Sequence, residues 1–341
     1  MIVSALFRSL SVMGLLGLAA CSTQVTQPPA STSHTATATE PAPVRIGLAL
    51  GGGAAKGFAH IGVIKMLEAN GFTPDVVAGT SAGSVVGALY ASGMDAFALQ
   101  QKAVALDETT IRDLQLSATG LVKGQKLQDY VNAQVNQRRL EKLGKPFVAV
   151  ATRLEDGKRT VFARGNTGQA VRASSSIPGV FEAVKIGAYH YVDGGVTSPV
   201  PVDAARELGA DIVVAVDISD KPRGKTPANM LGAMSQSIAI MGQRLGQAEL
   251  ARADVTVRPQ VLDIGPNDFS QRAQAIVEGE KAALAALPEL RRKVQQLREQ
   301  RAHAARQAQQ LAAQAQQQKC LEARSRLQKM ASTMGLDNSC K

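Results

Sequence analysis

The sequence Asp75-Val76-Val77-Ala78-Gly79-Thr80-Ser81-Ala82-Gly83-Ser84 contains the pattern G-x-S-x-G between two apolar runs. The first run predicts a buried strand, and residues 85–90 predict a helix that packs on a sheet. Gly79 and Gly83 allow the sharp turn between them, which would present the Ser81 hydroxyl at the edge of the sheet. The adjacent helix N-terminus favours negative charge there. This stretch therefore predicts an α/β fold with Ser81 as a nucleophile.

A glycine-rich turn comes one strand earlier, between an apolar run at residues 44–50 and a predicted helix at residues 58–70. It consists of Gly51, Gly52 and Gly53. A dinucleotide fingerprint that starts at Gly51 would need its third glycine at position 56, which is Lys56. A second interpretation is an oxyanion hole, because backbone amides in a glycine turn can converge on one oxygen. A purely structural turn is the third, and the nearby nucleophile candidate favours the oxyanion hole.

A serine nucleophile needs a base, and the four histidines are poorly placed for that role. His34 precedes the predicted fold, His60 and His190 are expected at packing or surface positions, and His303 lies in a predicted terminal helix. Asp193 is the better candidate base. Gly194 and Gly195 follow it and would place its carboxylate in a tight turn at a strand end, although a plain turn is the alternative. A carboxyl with the usual pKa of about 3.9 is a weak base, so Asp193 is expected to be desolvated beside Ser81.

With these three motifs in order, residues 44–220 resemble the patatin-like phospholipases, particularly bacterial members, and the run at residues 172–181 is similar to a further family segment. The resemblance implies a three-layer α/β hydrolase fold with a mainly parallel central sheet and a Ser81–Asp193 dyad. It also implies an oxyanion hole at residues 51–53 and hydrolysis of phospholipid, lysophospholipid or neutral-lipid esters through an acyl-enzyme, with no cofactor or metal. The chain departs from the family pattern at three positions: Ala54 for glycine, Lys56 for arginine and Ser198 for asparagine.

The first 43 residues predict an export signal and a tether. Residues 1–20 have the charge and apolar pattern of a secretory signal, and Leu18-Ala19-Ala20-Cys21 resembles a bacterial lipobox. This predicts cleavage before Cys21 and its acylation, with a plain signal peptide as the alternative. Ser22 in place of aspartate favours the outer membrane, facing the periplasm. Residues 21–43 are rich in Thr, Ser, Ala, Pro and Gln and predict a disordered tether.

The remaining sequence predicts a hydrolase domain over residues 44–265 and a basic, Ala/Gln-rich helical extension over residues 270–341. Strands and helices are predicted in alternation. The predicted strands lie at residues 44–50, 75–78, 147–152, 159–162, 183–192, 212–216 and 255–257, and the predicted helices at residues 58–70, 85–90, 94–106, 124–143, 167–176 and 230–253, with a terminal helix that starts at Pro288.

The net charge of +10 lies mostly in the extension, which has 13 Lys and Arg against 6 Asp and Glu. A nearly neutral remainder, 4% aromatic residues and no tryptophan argue against nucleic-acid binding. A weak coiled-coil seam could fold back, pair with another chain or stand free, so the oligomeric state stays open. Its members are Leu290, Val294, Leu297, Arg301, Ala304, Ala308, Leu311 and Ala315. The basic excess fits either anionic lipid or a solvated face. Cys320 and Cys340 could form a disulfide in an oxidising periplasm, and no cysteine has metal-ligand spacing.

Two functions follow from the sequence. The first is a lipid-anchored acyl hydrolase of membrane lipids, in which Ser81 forms the acyl-enzyme and Asp193 is the base. The alternative is a non-enzymatic envelope lipoprotein that acts as a scaffold through its basic C-terminal helix.

Overall fold

The computed structural model describes residues 42–106, 123–222, 226–227 and 229–334. Their central feature is an eight-stranded sheet in the order β5-β6-β3-β2-β1-β7-β8, with β4 paired to β3. The strands are β1 Ile46–Leu50, β2 Val76–Thr80, β3 Phe147–Arg153, β4 Arg159–Phe162, β5 Val184–Ile186, β6 Tyr189–Asp193, β7 Ile212–Val216 and β8 Val255–Val257. All seven predicted strand regions are confirmed, the 183–192 region as the β5–β6 hairpin.

The sheet is mixed and its centre is parallel. β1 pairs in parallel with β2 and β7, β2 with β3, and β7 with β8, whereas β4, β5 and β6 make the antiparallel pairs. Every residue of β1, β2 and β7 is buried, as expected for apolar strands that are covered on both faces. The parallel arrangement brings the ends of β1 and β2 to one edge, where the glycine turn and Ser81 follow them.

Helices cover both faces of the sheet, so the fold has three layers. They are α1 Ala59–Ala69, α2 Ala82–Ala91, α3 Ala96–Val104, α4 Gln125–Gln134, α5 Thr167–Ser174, α6 Val202–Glu207, α7 Met230–Leu250 and α8 Arg272–Thr333. The larger core contains apolar residues of α1, α2, α3 and α8 together with Leu48 and Leu50 of β1. The smaller core, on the other face, contains Ala49 with residues of α6 and Leu250.

The terminal helix differs from its prediction. It begins at Arg272, and Pro288, which was predicted to start it, lies inside it. A proline removes one intrahelical hydrogen bond, but the buried side chains of Leu287 and Leu290 on either side keep this segment packed on the domain. Residues 275–294 therefore form part of the main core.

Two glycines allow α8 to pack very closely on α1. A Cβ atom at Gly62 would lie 1.9 Å from the Ile276 carbonyl oxygen, and one at Gly279 would lie 2.0 Å from the Ala59 carbonyl oxygen. The helix backbones consequently touch where they cross. Farther along α8, Arg301 forms an ion pair with Asp211.

The outer part of α8 has no such contacts. From residue 306 to residue 334 every side chain is exposed, including Leu311 of the predicted coiled-coil seam. The first part of the helix thus folds back on the domain and the described remainder stands free. Within the described residues, no helix combines the length and apolar character needed to cross a membrane.

The predicted helix at residues 124–143 ends early, at Gln134, because Asn136 and Gln137 both adopt left-handed backbone conformations with φ of 53° and 56°. A short 3-10 turn, Leu140–Lys142, follows. The predicted signal peptide, Cys21, nearly all of the tether and Cys340 lie outside the described residues. Cys320 is exposed on α8.

Candidate active site

Ser81 occupies a sharp turn between β2 and α2. Its φ of 53° and ψ of −124° are rare for a residue with a side chain, and the strain indicates a constrained functional position. The flanking glycines are required by space. A Cβ atom at Gly79 would lie 2.5 Å from the Gly83 carbonyl oxygen, and one at Gly83 would lie 2.1 Å from the Leu50 carbonyl oxygen. The G-x-S-x-G pattern therefore forms the turn that the sequence predicts.

A hydroxyl from another helix fixes the backbone of this turn. The Ser81 amide donates to Ser174 Oγ at 3.0 Å, and Ser174 Oγ donates to the Val150 carbonyl at 2.5 Å. Ser174 is fully buried at the end of α5. Sequence reasoning did not assign it to the site. The only signal was its place in the run at residues 172–181.

Asp193 ends β6, and its carboxylate is buried beside Ser81. Oδ1 accepts a hydrogen bond from the Gly195 amide at 2.7 Å. Oδ2 is buried without an aligned partner among the described residues, which leaves it for Ser81. Burial raises the pKa of Asp193 to about 6, and hydrogen bonds from the Ser81 hydroxyl and the Gly195 amide oppose the rise. The Ser81 hydroxyl thus lies close enough to lower the pKa of this carboxyl, although it makes no hydrogen bond of ordinary geometry with Oδ2.

The Asp-Gly-Gly turn is tightly held. A Cβ atom at Gly194 would lie 2.2 Å from the Val150 carbonyl oxygen, so only glycine fits there. The Asp193 carbonyl accepts from Thr152 Oγ1 at 3.0 Å, and the Asp193 amide donates to the Ser176 carbonyl at 2.8 Å. These bonds fix the backbone that carries the carboxylate.

The glycine turn after β1 lies next to Ser81, since a Cβ atom on Gly52 would be 3.2 Å from Ser81 Cβ. Its amides are not equivalent. The Gly51 amide donates to the Val216 carbonyl at 3.1 Å and the Gly52 amide to the Pro199 carbonyl at 3.0 Å. The Gly53 and Ala54 amides have no acceptor among the described residues. Of the three predicted oxyanion donors, the Gly51 and Gly52 amides are therefore engaged in holding the loop, and only the Gly53 amide is available to a substrate oxygen.

His60 holds the glycine turn through a hydrogen bond to its backbone. It is fully buried in α1, and its Nε2 donates to the Gly51 carbonyl at 2.8 Å. Burial lowers its pKa to about 4, so the ring is neutral at neutral pH. Lys56, also fully buried, forms an ion pair with Asp220. His60 is thus a structural residue of the glycine turn.

The other histidines of the described chain lie at the surface. His190 is on the exposed β5–β6 hairpin, with Nδ1 3.0 Å from Glu155 Oε1, and His303 is exposed on α8. Among the described residues, no group of three or more histidine, cysteine or acidic side chains is arranged to hold a metal ion.

Comparison with known proteins agrees with the motifs. The family model described as Patatin-like phospholipase matches residues 48–206. An uncharacterized NTE family protein of Mycobacterium tuberculosis is 38% identical over 183 residues, which are 53% of this chain and 51% of that protein. The human Patatin-like phospholipase domain-containing protein 6 is 33% identical over 185 residues, 52% of this chain and 13% of that protein. Lysophospholipase NTE1 of Pyricularia oryzae is 27% identical over 278 residues, 72% of this chain and 18% of that protein.

Two solved structures show a distant likeness. VipD from Legionella pneumophila has a TM-score of 0.44 at 16% identity, covering 72% of this chain and 67% of that one. The ExoU–SpcU complex from Pseudomonas aeruginosa has a TM-score of 0.42 at 17% identity, covering 75% of this chain and 53% of that one. This chain spans about half the length of its mycobacterial relative. Residues 48–206 therefore form a domain of the patatin-like phospholipase family.

Proposed function

We propose that this protein hydrolyses carboxylic esters of lipids through an acyl-enzyme on Ser81, with Asp193 as the general base. The observation that carries the proposal is the contact between a strained serine and a buried carboxylate whose pKa lies near 6. At pH 7 that carboxylate is mostly ionised, and it is a stronger base than an exposed aspartate.

The reaction divides into two displacements. Ser81 Oγ attacks the ester carbonyl carbon while its proton passes to Asp193, and the alcohol leaves with that proton. Water then attacks the acyl-enzyme, gives a proton to Asp193, and the fatty acid leaves as Ser81 regains its hydrogen. The negative oxygen formed in each step would accept hydrogen bonds from the Gly53 and Ala54 amides and from Ala82, the residue after the nucleophile.

The surface beside the site suits an acyl chain. Helix α7 crosses the catalytic turn, since a Cβ atom on Gly242 would lie 4.0 Å from the Gly195 carbonyl oxygen. On the same helix, Ile240 and Met241 are 47% and 55% exposed. Exposed apolar side chains on a helix that contacts the site would fit a lipid substrate.

The test is hydrolysis of a panel of phospholipids, lysophospholipids and short esters, together with fluorophosphonate labelling. Ser81→Ala should abolish both. Ser92→Ala is the matched control, because Ser92 is a buried serine just after α2 whose hydroxyl donates to the Leu89 carbonyl. Labelling that persists in Ser81→Ala would refute the proposal. Wild-type protein that neither labels nor cleaves any ester would favour the scaffold alternative.

Membrane anchoring through acylated Cys21 is a separate proposal and rests on the lipobox resemblance alone. Mass spectrometry of the mature N-terminus after expression in a bacterial host tests it. Loss of the lipid mass and release from the membrane fraction in Cys21→Ala would support anchoring. An unmodified Cys21 in membrane-free protein would contradict it.

A further inference from the structure

The three residues Ser198, Pro199 and Val200 follow the Asp-Gly-Gly turn and connect the parts of the active site. The Ser198 carbonyl accepts from Oγ1 of Thr80, the neighbour of Ser81, at 2.8 Å. The Pro199 carbonyl accepts from the Gly52 amide of the glycine turn at 3.0 Å. The Ser198 amide donates to the Gly194 carbonyl at 2.7 Å. This segment, called here the connecting segment, therefore touches the nucleophile turn, the glycine turn and the turn of the base.

A single buried carboxylate holds the connecting segment from the other side. Glu249, near the end of α7, is 6% exposed. Its Oε1 accepts from Ser198 Oγ, and its Oε2 accepts from the Val200 amide at 2.8 Å. Both oxygens are thus directed to the connecting segment, one on each side of Pro199. Helix α7 also faces the connecting segment at Gly246, where a Cβ atom would make an ordinary contact at 3.5 Å from Pro199 Cγ.

Such a carboxylate is costly to bury, and the proposed reaction does not use it. Burial raises the pKa of Glu249 to about 7, against the opposing effect of the Ser198 and Val200 hydrogen bonds. The charged groups that act on it are Asp203, which raises the pKa further, and Arg252, which lowers it. A glutamate used only for packing could be an apolar residue without this cost.

We propose that Glu249 is a positioning residue that sets the spacing of Ser81, Asp193 and the glycine turn by fixing the connecting segment. The proposal rests on the proposed function and deepens it. Glu249 does not touch the reacting atoms. If the segment shifts, the Gly52 amide loses its acceptor and Thr80 loses the bond that holds the end of β2. The oxyanion donors and the nucleophile would then move relative to each other, and turnover falls steeply with such displacements.

The variants Glu249→Gln and Glu249→Met separate positioning from bulk. Glutamine can accept from the Val200 amide and donate to Ser198 Oγ, so it can keep both bonds. Methionine is close in size and makes neither bond. Leu250→Ala is the matched control, because Leu250 is the next residue of α7, is buried at 8% exposure and packs in the smaller core. It should lower stability without a direct effect on the connecting segment.

For the folded fraction, counted by fluorophosphonate titration, we expect Glu249→Met to lower kcat ten- to a hundredfold while KM changes less than about threefold. We expect Glu249→Gln to stay within about threefold of wild type in both constants. Leu250→Ala should lower the melting temperature and leave kcat within about threefold. Equal kcat values for Glu249→Met and wild type, or equal losses for Glu249→Met and Leu250→Ala, would overturn the positioning role.

Hydrogen–deuterium exchange supplies a readout that does not depend on activity. In Glu249→Met, peptides that contain Gly52 and residues 198–200 should exchange at least tenfold faster than in wild type and in Leu250→Ala. Unchanged exchange in these peptides would also overturn the proposal. A wild-type protein without esterase activity would refute the proposed function, whereas the exchange result would still decide whether Glu249 holds the connecting segment.

Discussion

Ser81 and Asp193 come from strands β2 and β6, which both pair with β3, and the Ser81 hydroxyl opposes the rise that burial causes in the pKa of Asp193. Strand β3, which lies between β2 and β6, thus sets the spacing of Ser81 and Asp193.

The rate of ester hydrolysis should fall on the acid side of pH 6. The proposed base must be ionised, and its pKa is raised to about 6. Well below this value, kcat/KM should drop about tenfold for each pH unit. A pH–rate profile with a non-ionising ester measures it. A rate that is constant down to pH 4 would exclude Asp193 as the base.

Asp193→Asn should stabilise the fold at pH 8 while it abolishes turnover. Between pH 3.8 and about 6 the native carboxyl binds a proton more tightly than the unfolded one, so Asp193 increasingly destabilises the native state as pH rises. Removal of the charge should add about 1–3 kcal/mol to the free energy of unfolding at pH 8. Urea denaturation checks this, and the gain should vanish below pH 4. A gain in unfolding free energy that persists below pH 4 would show that it does not come from removal of the Asp193 charge.

His60→Gln should reduce stability at pH 7 and leave the acid limb of the pH–rate profile in place. The histidine pKa is lowered from 6.5 to about 4, so the unfolded chain binds the proton more tightly. The native state therefore loses about 3 kcal/mol as pH falls from above 6.5 to 4, and the variant should lack this loss. Thermal denaturation of wild type and variant at pH 7 and pH 4.5 measures the stability at neutral pH and its loss on acidification. Loss of the acid limb in His60→Gln would instead identify His60 as the base.

Gly83→Ala should cost about 2–3 kcal/mol of stability, because its methyl group would overlap the Leu50 carbonyl and the backbone there cannot move freely. Fluorophosphonate labelling of Ser81 should fall as the turn is displaced. Gly265→Ala is the control, since a Cβ atom at that residue meets only ordinary contact at 3.6 Å from Asp268. Similar melting temperatures for the two variants would contradict the close contact of α2 with β1.

The inner and outer parts of α8 should respond differently to the same substitution. Leu290 is 1% exposed and Leu311 is 66% exposed. Leu290→Ala should cost about 2–4 kcal/mol, whereas Leu311→Ala should change stability by less than about 0.5 kcal/mol. Urea denaturation of both variants tests this. A large effect of Leu311→Ala in a concentration-dependent transition would show that the outer part pairs with another chain.

The sequence predicts much of this site because the motifs encode local geometry. Gly79 is required within the turn itself, by the Gly83 carbonyl, and Gly83 is required by the Leu50 carbonyl of the neighbouring strand β1. The β-branched run of β7 is typical of a buried strand. Asp193 follows from its Gly-Gly turn and from the poor placement of the histidines. The sequence predicts its desolvation only from what a carboxylate base requires, and the fold shows the burial itself.

The partners of these residues come from distant parts of the chain and leave no local signal. Ser174 holds the Ser81 amide from α5, and Glu249 holds the connecting segment from α7. Which amides of the glycine turn remain available is decided by the Val216 and Pro199 carbonyls, which accept from Gly51 and Gly52. Pro288 misled the helix prediction, because proline favours a first turn and tertiary packing overrides that preference here.

The close crossing of α1 and α8 has a consequence for how the protein is made. Helix α1 follows the glycine turn after one short 3-10 helix, Ala54–Phe58. Part of the surface it buries is nevertheless supplied by residues 275–294, which a ribosome adds long after it has made β1, β2 and Ser81. A nascent chain released before that point would carry both members of the dyad on an incompletely covered core. The complete core should therefore form only late in synthesis, after residues 275–294 have been added.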